Sequence, residues 1–255
     1  MRSRRYWVMV SLSLAASLVL ALPASAGHPS PPSNARLERP LVVELFTSQG
    51  CNSCPPADAL LAQLATRHDI LALSLPVTYW DMLGWKDTLA SDADTRRQKA
   101  YAQQMGRGGI YTPEIIVDGT TDVVGSREQA VQAAINARMG DMQSVSVDLN
   151  ANRQLLHITV GSAWDRGEHE ATIWMFRILP QATVSIRDGE NSGRTITYHN
   201  VVRQIRAVGT WKGQPVTFDL PRNDGGAEHD GMVVIVQQGG GYGRIIGAAL
   251  LGRAD

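Results

Sequence analysis

Both cysteines of this 255-residue chain stand in one four-residue stretch, Cys51-Asn52-Ser53-Cys54, and the flanking residues restrict what can form around them. Leu41-Val42-Val43-Glu44-Leu45-Phe46 is a short, mostly apolar run followed by Thr47-Ser48-Gln49-Gly50, the pattern of a buried strand feeding a turn. Beyond the pair, Ala57, Leu60, Leu61, Leu64 and Ala65 recur at helical spacing, and Pro55 and Pro56 fit only in or just before a first helical turn. A strand therefore delivers the cysteines to a helix start. A thiol attacks as thiolate, and the partial positive charge of a helix N-terminus favours the anion. Cys51 sits in that field, and Cys54, one turn on, is close enough to resolve a mixed disulfide formed at Cys51.

The rest of the first half alternates. Ile70 to Val77 reads as a second buried strand and Leu89 to Met105 as a polar helix with Arg96, Arg97 and Lys99 on its wet side, stopped by Gly106-Arg107-Gly108-Gly109. Glu114 to Gly119 and Thr121 to Val124 read as two short strands across a glycine turn. Ser126-Arg127-Glu128-Gln129 has capping-box form, before a helix that buries Val131, Ala134, Ile135 and the stem of Arg138 and ends at Gly140. The order βαβαββα suggests a mixed sheet covered by helices on both faces. From Met142 the hydrophobic period becomes two, as in Val145/Val147/Leu149, Leu156/Ile158/Val160, Ile173/Met175, Val184/Ile186 and Val216/Phe218. Seven or eight short strands without a fixed repeat point to a β-sandwich. The boundary is expected between Gly140 and Met142, giving domains at residues 40–140 and 142–252.

The amino terminus reads as an address. Arg2, Arg4 and Arg5 precede an apolar run from Tyr6 to Leu22, and Ala24-Ser25-Ala26 has the form of a signal-peptidase site, so residues 1–26 are expected to be removed on export, by the Sec or the twin-arginine route. No stable membrane insertion is expected after cleavage. Residues 27–39, with Pro29, Pro31 and Pro32, read as a flexible leader. Cleavage takes three arginines from a chain with 24 basic and 24 acidic side chains, which leaves a slight acidic excess and no basic footprint for nucleic acid. The expected location is periplasmic or secreted, where adjacent thiols tend to be oxidised.

Other uses of the pair compete with exchange. A structural disulfide is one, although so short a loop constrains the unfolded chain little. Zinc needs four ligands, and there is no second cysteine pair, nor do His28, His68, His157, His169, His199 and His229 show ligand spacing. A copper-carrying pair completed by a distant His or Met is the third. No resident metal or cofactor is expected.

At these residues the chain resembles the thioredoxin-like superfamily, through the strand Val42 to Phe46, the Cys51 to Cys54 turn with its helix, and Tyr111-Thr112-Pro113 ahead of the strand Glu114 to Val117. More narrowly, Val43 to Cys51, Tyr79-Trp80-Asp81 with Leu83 to Asp87, and Asn191 to Thr195 with Tyr198 to Val202 resemble a family of secreted bacterial proteins known only as a domain of unknown function, over nearly the whole mature chain. The resemblance implies an α/β thioredoxin-like domain followed by an all-β, sandwich-like domain, and a cis Thr112-Pro113 bond facing the disulfide. Gly50 stands where thioredoxins place a tryptophan, and the segment from Tyr79 to Met105 is an insertion.

By the same resemblance Glu44 lies near where such enzymes keep a buried carboxylate that handles the second cysteine's proton; alternatively it faces solvent or pairs with a base such as Lys86. Trp80, Asp81, Trp85 and Lys86 either line a peptide groove beside Cys51 or pack the insertion onto the sheet. Arg187, Glu190, Asn191, Arg194, Tyr198 and His199 read as a salt-bridged loop, with the alternative that they face the cysteines. Gly239 to Gly243 reads as a hairpin turn. The function expected is an exported thiol-disulfide oxidoreductase in which Cys51 attacks, Cys54 resolves, Pro113, Thr112, Trp80 and Tyr111 shape the partner-binding face and Glu44 shuttles a proton. Its partner would be an exported protein or a small thiol. A non-catalytic envelope binding module with a permanent disulfide is the alternative.

Overall fold

A computed structural model describes residues 39–140, 144–152, 154–163, 165, 169–222 and 231–251. The chain divides into two compact units, 1–35 and 36–255, and every described residue lies in the second. The expected signal segment, the leader up to residue 38 and the junction at Met142 lie outside the described residues.

The first strand, β1 (Leu41–Thr47), pairs in parallel with β2 (Ile70–Pro76), and both are buried along their whole length. Between them runs α1 (Pro55–Leu64), with prolines at its first two positions. Next, α2 (Asp92–Gln104) starts at Ser91, whose side chain accepts from the Asp94 amide. The antiparallel pair β3 (Glu114–Val117) and β4 (Thr121–Val124) follows, with β3 against the other side of β1, and then α3 (Glu128–Met139). The N-cap of α3 is Arg127 and carries no side-chain hydrogen bond, so the expected capping box does not form.

The remaining strands are β5 (Val147–Ala151), β6 (Leu155–Val160), β7 (Ala171–Ser185), β8 (Thr195–Trp211), β9 (Val216–Pro221), β10 (Gly231–Gln237) and β11 (Ile245–Leu251). Four of them join the first half in one eight-stranded mixed sheet ordered β11-β10-β7-β8-β2-β1-β3-β4, while β5-β6-β9 form a separate three-stranded sheet. This corrects the expectation of a helix-flanked thioredoxin-like domain followed by an independent β-sandwich. Of the described residues 43% are strand and 21% helix, with three α-helices, and the sheet runs without a break through the expected boundary.

The physical cause lies in β2. An apolar strand buried on both faces cannot be left as an edge with open hydrogen-bonding groups, and β8 closes it, pairing at Ser74 and Val201. The expected short strands Val184/Ile186 and Val201 to Val208 also merge into longer ones, since β7 and β8 pair from Ala171/Trp211 to Ser185/Thr195, past Pro180 and a left-handed Asn200 (φ 47°).

Alternation along the strands sorts the core. Leu41, Val43 and Leu45 pack with Leu60, Leu61 and Leu64 of α1 and Val131 and Ile135 of α3. On the opposite face Val42, Phe46 and Leu73 pack with Tyr101 of α2 and with Phe176 and Ile235. The small sheet covers the far half through Leu156, Ile158 and Val160 against Ile173, Met175 and Val234.

Arg97, expected at the wet side of its helix, is instead buried and bonds Glu44 through Nε (2.6 Å) and Nη2 (3.1 Å) and Gln237 through Nη2 (2.9 Å). Its guanidinium lies over the rings of Tyr101, Trp174, Phe176 and Tyr242. A buried charge needs such a partner, and this one ties α2 to β1 and β10. Arg39, at the end of the expected leader, is likewise buried and forks onto both Asp118 carboxylate oxygens at 2.8 Å.

Candidate functional site at the Cys51 to Cys54 turn

Cys51 and Cys54 form a disulfide with their Cα atoms 5.4 Å apart. The turn carrying them is built by local bonds. The Cys51 amide donates to Ser48 O (3.2 Å), the Gly50 amide to Ser48 Oγ (3.1 Å) and the Cys54 amide to Cys51 O (3.2 Å). Cys54 is the N-cap of α1, and its carbonyl accepts from Ala57 and Asp58. Proline at the first two helical positions supplies no amide hydrogen, so the field at the pair comes from the helix as a whole more than from free donors. Asn52 and Ser53 are exposed, and Ser53 Oγ stands 3.4 Å from Cys51 Sγ, which places Cys51 next to the surface of the turn. Yet both cysteines are fully buried, at 0% exposure.

Two segments cover them. The first is the insertion after β2. Trp80 lies against Gly50, where a Cβ would come 3.2 Å from Trp80 Cβ, so the glycine makes room for a tryptophan brought in from residue 80. The Trp80 indole donates to Thr112 Oγ1 at 2.8 Å. Trp85 donates to Gln49 Oε1 (2.8 Å), and Asp87 accepts from the Gln49 amide (2.8 Å). The insertion therefore packs round the turn, with Met82 and Leu83 exposed at its crest.

The second is the tip of the β7–β8 hairpin. Asn191, 1% exposed, donates through Nδ2 to the carbonyls of Gln49 (2.9 Å) and Cys51 (2.8 Å), and Glu190 accepts from the Asn52 amide (3.4 Å). Of the group read as a salt-bridged loop, the structure thus brings Glu190 and Asn191 onto the cysteine turn.

The other expected residues distribute as follows. The Thr112-Pro113 peptide is cis. Pairing of Phe46 with Glu114 sets Pro113 beside the end of β1, where the chain turns towards Cys51. Tyr111 is half-buried with its hydroxyl on Asp122 (3.0 Å), turned to β4. Glu44 shares the sheet face of Val42 and Phe46, opposite α1, and is held by Arg97 and by a short bond from the Tyr101 hydroxyl, so it is engaged away from the pair; Lys86 is exposed.

The carboxylate that does share the helix with the cysteines is Asp58, four residues after Cys54 and 5% exposed. Positions four apart lie on one helix face. Its Oδ1 accepts from Thr47 Oγ1 at 2.8 Å, and its Oδ2 is buried with no hydrogen-bond partner. Burial is the main force pushing its pKa up to about 7; the Thr47 bond opposes and the nearby Asp87 charge adds to the rise. Sequence reasoning passed over Asp58, although its spacing from Leu61 and Ala65 puts it on the buried stripe of α1.

Residues 42–237 match a family model described as a protein of unknown function (DUF1223). The chain belongs to this family. A crystal structure of protein AGR_C_4864 from Agrobacterium tumefaciens is similar to it at 33% identity and a TM-score of 0.74, covering 84% of this chain and 95% of that one. HBP35 of Porphyromonas gingivalis is similar in fold, with a TM-score of 0.61 at 14% identity, covering 84% and 75%. No curated protein matches the chain. In this family member, the cysteine turn and the 187–194 tip both fall within the matched span.

One prediction concerns the cover. Thr112→Val keeps the shape but leaves the Trp80 indole N–H without its acceptor. Stability should fall by about 1 kcal/mol, the worth of one hydrogen bond, seen as a lower urea midpoint at unchanged slope.

Proposed function

We propose that this chain is an exported thiol-disulfide exchange protein that works through Cys51 and Cys54. The observation that carries the reading is a disulfide at the mouth of α1 with a buried carboxyl, that of Asp58, one helical turn below it. The preceding strand, with Pro113 set beside its end, supports a local likeness to thioredoxin-like sites.

In the reducing direction, a partner thiolate attacks Cys51 Sγ. The new sulfur–sulfur bond forms as the Cys51–Cys54 bond breaks, and Cys54 leaves as a thiolate that takes a proton from Asp58, directly or through one water. A second thiol of the partner, as thiolate, attacks the partner sulfur of the mixed disulfide, releasing Cys51 and leaving the partner oxidised by two electrons. Run backwards, the Asp58 carboxylate accepts the Cys54 proton, and the Cys54 thiolate resolves the mixed disulfide. An exported location, from the Arg2 to Ala26 pattern, suits a pair found joined.

The competing reading is a binding module with a permanent disulfide, and the burial of both sulfurs speaks for it. Against it stands the slight constraint that so short a loop places on an unfolded chain, together with a buried Asp58 carboxyl whose Oδ2 has no hydrogen-bond partner, which a mere staple has no use for. Copper carriage needs a ligand beyond the pair, and among the described residues no group of three or more His, Cys, Asp or Glu is placed to hold a metal ion. The test is catalysed exchange between glutathione and a disulfide-bonded peptide, followed by peptide mass. Accelerated exchange at catalytic concentrations of the protein is expected; a rate equal to that without protein rejects the function.

A further inference from the structure

The tip of the β7–β8 hairpin is a self-contained piece. The Ile186 amide bonds Arg194 O (2.9 Å), the Gly193 amide bonds Ile186 O (2.9 Å), and Ser192 Oγ bonds Arg187 O (2.8 Å), so residues 186–194 hold their form through bonds among themselves. The ribbon that carries the tip pairs with β2 at Ser74 and Val201; further out, β7 and β8 bond each other. Left-handed Asn200, across from Pro180, marks the place where the ribbon leaves the sheet. It rests on a small cluster of Leu89, Tyr198 and Val201, separate from the three larger cores. An element with its own internal bonds and a slight apolar footing opens at lower free energy than the core does.

What the tip covers is the cysteine turn. Asn191 occupies two carbonyls there, one of them that of Cys51 itself, and Glu190 occupies the Asn52 amide. Gly189, left-handed at φ 77°, meets the other cover, since a Cβ there would come 3.1 Å from Trp85 Cβ. Tip and insertion thus touch beside a disulfide whose two residues have no exposed surface. Attack on sulfur requires a thiolate in line with the S–S bond, and a buried sulfur offers no such approach.

We infer that the hairpin tip, residues 187–194, is a shield latched by Asn191, which must lift from the Gln49 and Cys51 carbonyls before Cys51 can be attacked. This deepens the exchange reading and rests on it for its biological use, but the shield itself is a statement about access. Opening breaks the two Asn191 bonds and the Glu190 bond to the Asn52 amide and parts Gly189 from Trp85, while the pairing of β7 and β8 inside the core stays in place. A small reductant therefore waits on tip opening.

The experiment is the second-order rate constant for reduction of the folded, oxidised protein by dithiothreitol at fixed pH, for wild type and Asn191→Ala. The variant should react about tenfold faster or more, the consequence of losing two buried hydrogen bonds, with unchanged circular dichroism. Equal rates would overturn the shield. Should Asn191→Ala fail to fold, Gly189→Ala loosens the same tip from the Trp85 side and must give the same acceleration, and its failure to do so overturns the shield as well. The outcome separates from the fate of the proposed function. A faster Asn191→Ala in a protein that accelerates no glutathione exchange keeps the shield and removes the oxidoreductase, and equal rates in a protein that does accelerate it do the reverse.

Discussion

Cys51→Ser should abolish catalysed exchange in the glutathione and peptide assay, and Cys54→Ser should instead accumulate one glutathione per chain as a mixed disulfide at Cys51. The two outcomes differ because the sulfurs are placed differently. Cys51 belongs to the outer side of the turn, within 3.4 Å of the exposed Ser53, whereas Cys54 caps α1 and lies above Asp58. Without Cys54 the mixed disulfide has no neighbour to resolve it and persists until a second external thiol arrives. Intact-mass measurement after incubation with oxidised glutathione reads both results. Turnover surviving in Cys51→Ser would mean that the chemistry lies elsewhere in the chain.

The second large effect is at Asp58, and its sign follows from burial. A carboxyl whose pKa rises from 3.8 to about 7 on folding binds its proton more tightly in the folded state. Its contribution to stability is therefore fully present below about pH 4 and is lost as the pH climbs through 7. The loss approaches a magnitude on the order of 4 kcal/mol, from roughly three pKa units at about 1.4 kcal/mol each. Asp58→Asn removes this titration. Urea midpoints of wild type and variant should stay close near pH 4 and diverge by pH 8, with the variant the more stable. Asp87 and Asp94 are also shifted up by burial, but both proteins retain them, so the difference isolates residue 58. In the exchange assay the same substitution removes the proton acceptor of Cys54. At pH 7 the resolving step should slow by about a hundredfold, within the usual range for a lost general base, and its pH dependence should move up towards the ordinary thiol range. A gap between the midpoints that does not widen with pH would show that Asp58 is not the group held neutral.

How much of this was legible in the sequence depends on the distance over which each feature is determined. The strand before the cysteines and the helix after them follow from apolar periods and from Pro55 and Pro56, all within some twenty residues of one another, and they form as read. The join between halves depends on β2 meeting a strand more than a hundred residues downstream, and an unbroken apolar run says that a neighbour is needed without saying which. Arg97 looked solvated because a charge on a polar helix usually is; its partner Glu44 lies 53 residues earlier in the chain. The acid between Val43 and Leu45 was recognised as unusual, and the structure spends it on that buried pair. Asp58 was readable from its place on the apolar stripe of α1. Asn191 entered only within a charged group whose alternative place was facing the cysteines, because nothing local in a Gly-Glu-Asn-Ser-Gly tip names the carbonyls it reaches 140 residues back.

The reduction potential of the Cys51–Cys54 couple is the most direct measurement of whether these two sulfurs are a working pair. Equilibrated against a graded thiol buffer in the folded protein, the couple should titrate at a potential well above about −300 mV, the region below which structural disulfides sit. A pair that stays oxidised at and below that value would contradict exchange and leave Cys51 and Cys54 as a covered staple.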